Sequence, residues 1–187
     1  YSTRIPSVFL AHLSKEDYGF LAEKIRKYDG FYIQKRNLRQ YNTTIGANVL
    51  GYVAEVNRSN LEKDNYYSQG DIIGKQGVEL SYEKYLRGEK GIKFIQKDRF
   101  NRDIGSFNDG LNDINSIAGN DLTITIDSEL QEYGELLMSN KKGAIVAIEP
   151  SSGELLTLVS APSYNPNLLV GRERSKNYFE LYQDSIY

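Results

Sequence analysis

Between residues 119 and 167 the apolar and polar positions of this chain change period in a legible order. Leu122, Ile124 and Ile126 alternate with Thr123 and Thr125, and a period of two with β-branched residues predicts a half-buried strand ending at Asp127. Ser128, followed three residues later by Gln131, fits a capping box, in which the two side chains satisfy backbone donors that a first helical turn leaves unpaired. A helix is therefore expected from Ser128. Leu130, Tyr133 and Leu137 recur at helical spacing, and the pattern fades at Ser139, Asn140 and the Lys141-Lys142 pair, whose charge suits a helix C-terminus. Apolar runs at 144–148 and 155–159 flank Pro150-Ser151-Ser152-Gly153, which is turn chemistry, so a β-hairpin follows. Pro162 and Pro166 close the stretch by removing backbone donors and extending the residues before them.

The pattern upstream is more broken. Ser14 is an N-cap with Glu16 and Asp17 in the first turn, Tyr18, Leu21, Ile25 and Tyr28 form one buried stripe, and Gly30 stops the helix. A strand is expected at 31–33, with Lys35, Arg36 and Arg39 forming a solvated basic end. Residues 47–56 predict a short helix, a break at Gly51 and a strand, and the polar run 57–67 reads as a loop. A helix over 76–86 places Val78, Tyr82, Tyr85 and Leu86 inward beneath a polar face of Glu79, Glu83 and Lys84, and ends at Gly88. Strands are expected at 92–96 and 102–106 around a turn at 98–101, and the Asn, Asp and Gly of 108–120 read as a linker.

Composition narrows the function. The 187 residues, 40% hydrophobic and 26% charged, suffice for one ordinary domain or two small ones. A formal net charge of -2 leaves no basic excess for phosphates, so nucleic acid is not an expected partner. The absence of Cys removes disulfides, thiolate metal sites and a cysteine nucleophile together. No stretch approaches the ~20 apolar residues of a membrane span, and the mean hydropathy of -0.53 fits a soluble piece. The chain opens on Tyr1 rather than Met, so an excised part of a longer protein is expected, with any membrane anchor outside it. His12, the sole histidine, has no evident triad and reads as a surface residue. The 15 Tyr fall mostly on helix stripes, where burial explains them more simply than glycan stacking. Paired carboxylates of the glycosidase kind are not identifiable from sequence. The 70–75 segment resembles a phosphate loop but is one residue short, and Gln76 stands where a magnesium-holding hydroxyl belongs.

The strand ending in LTID, the helix opening with LQ and the run GAIVAIEPSSGELLTLVSAPSYNPN resemble the start of the transpeptidase domain of class B penicillin-binding proteins. The wording GKQGVELSYEKYLRGEKG closely resembles the pedestal region of the penicillin-binding protein 2, elongation-specific type, and matches its motif at Glu79, Arg87 and Gly88. Those three are expected to be structural, with Glu79 and Arg87 sharing a charged contact. Arg39 and Tyr41 resemble a further arginine and aromatic of the family, although Asn42 stands where its motif has proline. The resemblance runs from about residue 31 to the C-terminus. It implies an α+β fold in two pieces: a pedestal, or dimerisation, domain over 1–118, and over 119–187 an incomplete transpeptidase domain with an exposed sheet edge.

Enzymes of this family acylate a serine in S-x-x-K, helped by S-x-N and K-T-G. Ser81-Tyr82-Glu83-Lys84 and Ser139-Asn140-Lys141-Lys142 fit the first motif, but each lies in an expected structural helix. Ser163-Tyr164-Asn165 and Ser106-Phe107-Asn108 fit the second, and the third is absent. The expected catalytic, cofactor-binding and metal-binding residues of this piece are therefore none. The resemblance implies a parent that cross-links peptidoglycan stem peptides through an acyl-serine, is acylated by β-lactams, and is anchored at the periplasmic face of the bacterial cytoplasmic membrane. It also implies a membrane glycosyltransferase of the shape and division group and a rod-shape scaffold as partners, no cofactor, and a non-catalytic role for this piece. Two other readings stay open: a stand-alone periplasmic protein-interaction or glycan-binding module, and a division-type parent.

Overall fold

A computed structural model describes residues 7–11, 13–28, 30–31, 33, 38–100 and 102–183. His12, Lys35 and Arg36 lie outside them, as does Tyr32 in the middle of the expected 31–33 strand, whose flanking Phe31 and Ile33 are in no strand. The fold mixes helix with small antiparallel sheets. It divides into two compact units, one built from Tyr82–Thr123 with the chain up to Val8 and the other from Phe9–Ser81 with the chain from Ile124 onward.

In the second unit, α1 (Lys15–Ile25) begins where the sequence places it, with the Ser14 hydroxyl accepting from the Asp17 N–H at 3.0 Å. Its stripe is only half-covered: Tyr18, Leu21 and Ile25 are partly buried, while Tyr28 is exposed. α2 (Ala47–Leu50) stops at Gly51, and β1 (Val53–Glu55) follows, as the apolar pattern predicts. The run read as a loop contains α3 (Arg58–Lys63), fixed by Asn57 and Asn60, each accepting from the other's backbone N–H. This is a capping box written with two asparagines, on a helix too short to show a period. β2 (Ile72–Gly74) pairs with β1, Ala54 opposite Ile73.

The single helix expected over 76–86 is two: α4 (Gly77–Ser81) and α5 (Glu83–Leu86), broken at Tyr82 with φ -111° and ψ 17°. Its sidedness is also reversed. Glu79, expected outward, is buried, whereas Tyr82 and Tyr85 are exposed. The start of α4 explains the reversal. A Cβ on Gly51 would lie 1.9 Å from the Gln76 carbonyl oxygen, and Gly51 and Gly77 both hold φ in the left-handed region, at +80° and +61°. Glycine at both positions lets α4 begin against the end of α2, and that close approach carries Glu79 inside.

α6 (Ser128–Leu137) and the hairpin of β5 (Gly143–Ile148) and β6 (Leu155–Ala161) follow the sequence closely. Two details differ. The cap is Asp127, whose carboxylate accepts from the Leu130 N–H at 2.9 Å, one residue before the expected Ser128. Gln131 is thereby released from capping. The strand expected at 122–126 keeps its alternation, with Leu122, Ile124 and Ile126 half-buried between exposed neighbours, but joins no ladder. It runs beside β6 through the Asp127 N–H to the Leu156 carbonyl at 2.9 Å and the Thr125 hydroxyl to the Leu155 carbonyl at 2.7 Å.

The β5–β6 register puts Ile145 opposite Val159 and Ala147 opposite Thr157. Thr157 and Val159 lie beneath α6, at Gln131 and Gly134. The other face carries Val146 opposite Leu158 and stays open, at 52% and 37% exposure. Leu130, Tyr133, Leu136 and Leu137 are likewise exposed. After the hairpin, Asn165 caps a short 3₁₀ turn, Pro166–Leu169, and α7 (Arg174–Gln183) follows.

In the first unit, β3 (Ile95–Lys97) and β4 (Asp103–Ser106) form an antiparallel hairpin with a register shift between Gln96 and Lys97. The expected linker is better tied than its composition indicates. Glu89 bridges to Ile117 and Ile92 to Ile114, because the small residues there let the chain return alongside 89–92.

Candidate functional site

The best-defined polar assembly lies in the unit holding α2, α4, α6 and the β5–β6 hairpin. Glu79 sits in the first turn of α4 with its side chain 8% exposed, and both its oxygens are held: Arg39 Nη2 donates to Oε2 at 2.8 Å, the Tyr41 hydroxyl to Oε1 at 3.1 Å. Burial first, then the Glu79 charge and the hydrogen bond to it, raise the Tyr41 pKa well above the ordinary phenol range, against an opposing pull from Arg39. The phenol therefore stays a donor at neutral pH.

Tyr41 is fixed from its backbone as well. Its N–H donates to Asn167 Oδ1 at 3.0 Å, and Asn167 Nδ2 donates to the Tyr41 and Thr43 carbonyls at 2.9 and 3.2 Å. Asn165 turns Asn167 into place by accepting its N–H at 2.9 Å. The PSYNPN wording thus has a physical use: one asparagine caps the turn and the other clamps a segment 126 residues away.

A second knot lies beside it. Gln131 is 2% exposed. Its Oε1 accepts from the Thr157 hydroxyl at 2.7 Å and the Leu158 N–H at 2.9 Å, while Nε2 donates to Glu135 Oε1 at 3.0 Å and the Leu158 carbonyl at 3.1 Å. The same Glu135 oxygen accepts from the Gly46 N–H at 2.7 Å, and Asn48 Nδ2 donates to the Ser160 carbonyl at 3.2 Å. Gly46 and Asn48 are thereby stitched onto α6 and β6, as Arg39 and Tyr41 are onto Glu79 and Asn167. A shallow depression of about 360 Å³ opens between 41–45, Glu132 and Asn167.

Ser81 ends α4 and Ser139 lies just past α6, both exposed. Asn165 is occupied as a cap, and Asn108 holds φ at 49° in a turn with its Nδ2 donating to Asn112 at 3.2 Å. Lys75 of the loop that resembles a phosphate cradle donates to Asn60 Oδ1 at 2.9 Å. Among the described residues, no group of three His, Cys, Asp or Glu side chains is placed to hold a metal, and no helix is long and apolar enough to cross a membrane. Gly88 ends its helix with φ at +67°, where a Cβ would meet the Ile117 carbonyl oxygen at 2.3 Å. Sequence reasoning missed Arg39 and Tyr41 as partners of Glu79, and missed Gln131 as a core residue. The signal for the first lay in two separate motifs of the same family pattern, and periodicity cannot join them.

Such an assembly is a joint that fixes segments against one another, and comparison with known proteins names its class. Residues 1–124 match the penicillin-binding protein dimerisation domain, and the chain belongs to that family. Within it, the chain is similar to the peptidoglycan D,D-transpeptidase MrdA of Escherichia coli strain K12, 32% identical over 188 residues covering 97% of this chain and 28% of the relative. The chain spans little more than a quarter of that relative's length. Its fold is similar to the penicillin-binding protein PBP2 of Helicobacter pylori solved in complex with MreC, with TM-score 0.78, 27% identity and coverage of 97% of this chain and 35% of that one. It is also similar to a chain from a solved structure concerned with polymerization and crosslinking by a peptidoglycan synthase complex, with TM-score 0.61, 27% identity, and coverage of 92% and 32%. The family and the α+β pedestal fold expected from the sequence are those found.

Proposed function

We propose that this chain is a non-catalytic portion of a peptidoglycan D,D-transpeptidase of the penicillin-binding protein 2 type. It holds the catalytic domain in position and contacts assembly partners at the periplasmic face of the cytoplasmic membrane. Residues 1–118 are its pedestal portion and 119–187 the opening of its transpeptidase domain. The observation that carries this reading is the one-sided β5–β6 layer. α6 covers Thr157 and Val159, while Val146, Leu158 and the outer stripe of α6 are left as apolar surface that a further part of such a domain would cover. The polar joint supports the positioning role, because interlocked side chains fix orientation more sharply than apolar packing does. Its partners on this reading are a rod-shape scaffold and a membrane glycosyltransferase, supported by likeness to a PBP2 solved in complex with MreC and to a chain from a peptidoglycan synthase complex.

The test combines sequence and chemistry. The coding sequence beyond residue 187 is read, and the full-length product and the 187-residue piece are exposed to fluorescent penicillin. An S-x-x-K with S-x-N and K-T-G downstream, and labelling of the full-length product alone, are expected. A stop codon after residue 187, or a full-length product that penicillin does not label, would leave the stand-alone interaction module as the correct reading.

A further inference from the structure

Among the described residues, the β3–β4 hairpin is assembled unlike the other two strand pairs. Every residue of β3 and β4 is exposed, so among the described residues neither face of this two-stranded sheet is covered. A hairpin of this size is marginal in water without a covering surface. Phe94, Ile95, Phe100 and Ile104 are 43–63% exposed along it. Lys93, Lys97, Arg99 and Arg102 alternate with these apolar side chains, against Asp98 and Asp103, giving the 93–104 segment a net +2 in a chain of net -2.

The turn is ordered by its own polar contacts. Asp98 accepts from the Phe100 N–H at 2.8 Å, the Arg102 N–H at 2.9 Å and Arg102 Nε at 2.7 Å. The Arg99 and Arg102 guanidinium carbons lie 4.7 and 5.3 Å from the centre of the Phe100 ring, which is 63% exposed. Lys97 is 3.4 Å from Asp103, and Lys93 and Arg99 pair with no acid among the described residues. The result is an aromatic tip flanked by cations.

We propose that this hairpin docks onto an anionic phospholipid surface, Phe100 entering at headgroup depth while Lys93 and Arg99, the two cations there that pair with no acid among the described residues, meet the phosphates. Aromatic rings settle at the membrane interface, and Lys and Arg bury their stems there while their charged ends stay with the headgroups. The charge complementarity is direct, since basic side chains near an anionic leaflet are attracted individually. An acidic protein partner would more naturally be met by preset, bidentate arginines, whereas here the one guanidinium held in fixed geometry is already engaged by Asp98. The inference goes beyond the proposed function and does not depend on it.

The chain contains no Trp, so Phe100→Trp makes a single fluorescent reporter at the tip. The 187-residue chain is mixed with phosphatidylglycerol vesicles, with phosphatidylcholine vesicles and with polyglutamate, at low salt and at about 0.5 M salt, where the screening length is only a few ångströms. A blue shift and quenching by brominated lipid are expected with phosphatidylglycerol alone, lost at high salt. Sedimentation of the unlabelled chain with those vesicles is expected to weaken about fivefold for each of Lys93→Ala and Arg99→Ala. Far-UV circular dichroism checks that the exposed substitutions leave the fold intact. Binding that survives both charge removals, a reporter emission spectrum that vesicles leave unmoved, or a response to polyglutamate rather than lipid overturns the proposal. Penicillin labelling plays no part in the readout, so this inference and the transpeptidase reading fail separately.

Discussion

Around α6 and β6 the most deeply buried side chains include Gln131 and Thr157, and each polar atom of the Gln131 amide is engaged. Along β3 and β4 nothing is buried at all. One region is held by interlocking polar groups that cannot be changed singly, the other by a backbone ladder and a self-contained turn. Polar burial is costly unless every partner is present, and then it specifies one arrangement. A ladder without a core specifies little beyond its own register. The contrast sets a part held in one geometry against a part whose side chains stay exposed.

The sharpest way to break this contrast is Gln131→Leu. The replacement is close in volume but leaves the Leu158 N–H and carbonyl without their side-chain partner, at about 1–3 kcal/mol for each buried orphan. A loss of roughly 3 kcal/mol or more is expected, read as a fall in the urea midpoint with the slope unchanged. Next comes Asn167→Ala, which removes the clamp on Tyr41 and Thr43 and is expected to cost about 2 kcal/mol. It should also loosen the 41–45 segment in hydrogen exchange while leaving the β5–β6 amides protected. Gly134→Ala sharpens the comparison from the packing side. A Cβ there would stand 2.8 Å from Val159 Cγ2, which is nearly inaccessible, so overpacking of about 1–2 kcal/mol is expected despite the better helix propensity of alanine.

These sites also show how much was readable beforehand. The α6 and β5–β6 stretch was legible because its periods are long and clean, and the 47–56 segment because Gly51 punctuates it. Gln131 was misread because Ser128 offered a capping box one residue from the real cap, Asp127, and a good local explanation hid a tertiary one. Glu79 was misplaced for a related reason. A helical wheel puts a carboxylate outward, and nothing local announces that Arg39 and Tyr41 meet it from about forty residues away. Helix α3 was missed because its cap uses asparagines and its length is six residues. The family resemblance supplied Arg39, Tyr41, Glu79 and the PSYNPN tail as separate landmarks, and only the fold turns them into one joint.

Alkali offers a graded probe of that joint. The Tyr41 pKa is raised in the folded chain, so the proton it keeps on folding contributes stability fully below the ordinary phenol value of about 10, lost as pH rises beyond it toward the folded value. Stability of the unaltered chain should therefore decline above about pH 10, and Tyr41→Phe, already weaker by about 1 kcal/mol at pH 8, should decline less steeply. Some slope should remain in the variant, because burial also raises Tyr52 and Tyr164, each pushed further by Tyr178 and, for Tyr164, by Tyr52. Parallel curves for the two proteins between pH 8 and 11 would remove Tyr41 from the alkaline response.

The smallest effect is expected at Phe100→Ser, and its smallness is the point. The ring meets the neighbouring guanidiniums, and Asp98 organises the turn through the backbone N–H of residue 100, which serine retains. Exposed substitutions away from caps and buried networks change stability by no more than about 0.5 kcal/mol, so the urea midpoint should scarcely move. An exposed apolar side chain that contributes nothing to folding is available for selection on contact alone. A large loss of stability in Phe100→Ser would mean that the hairpin carries a hidden core, and the contrast between the two regions would fall with it.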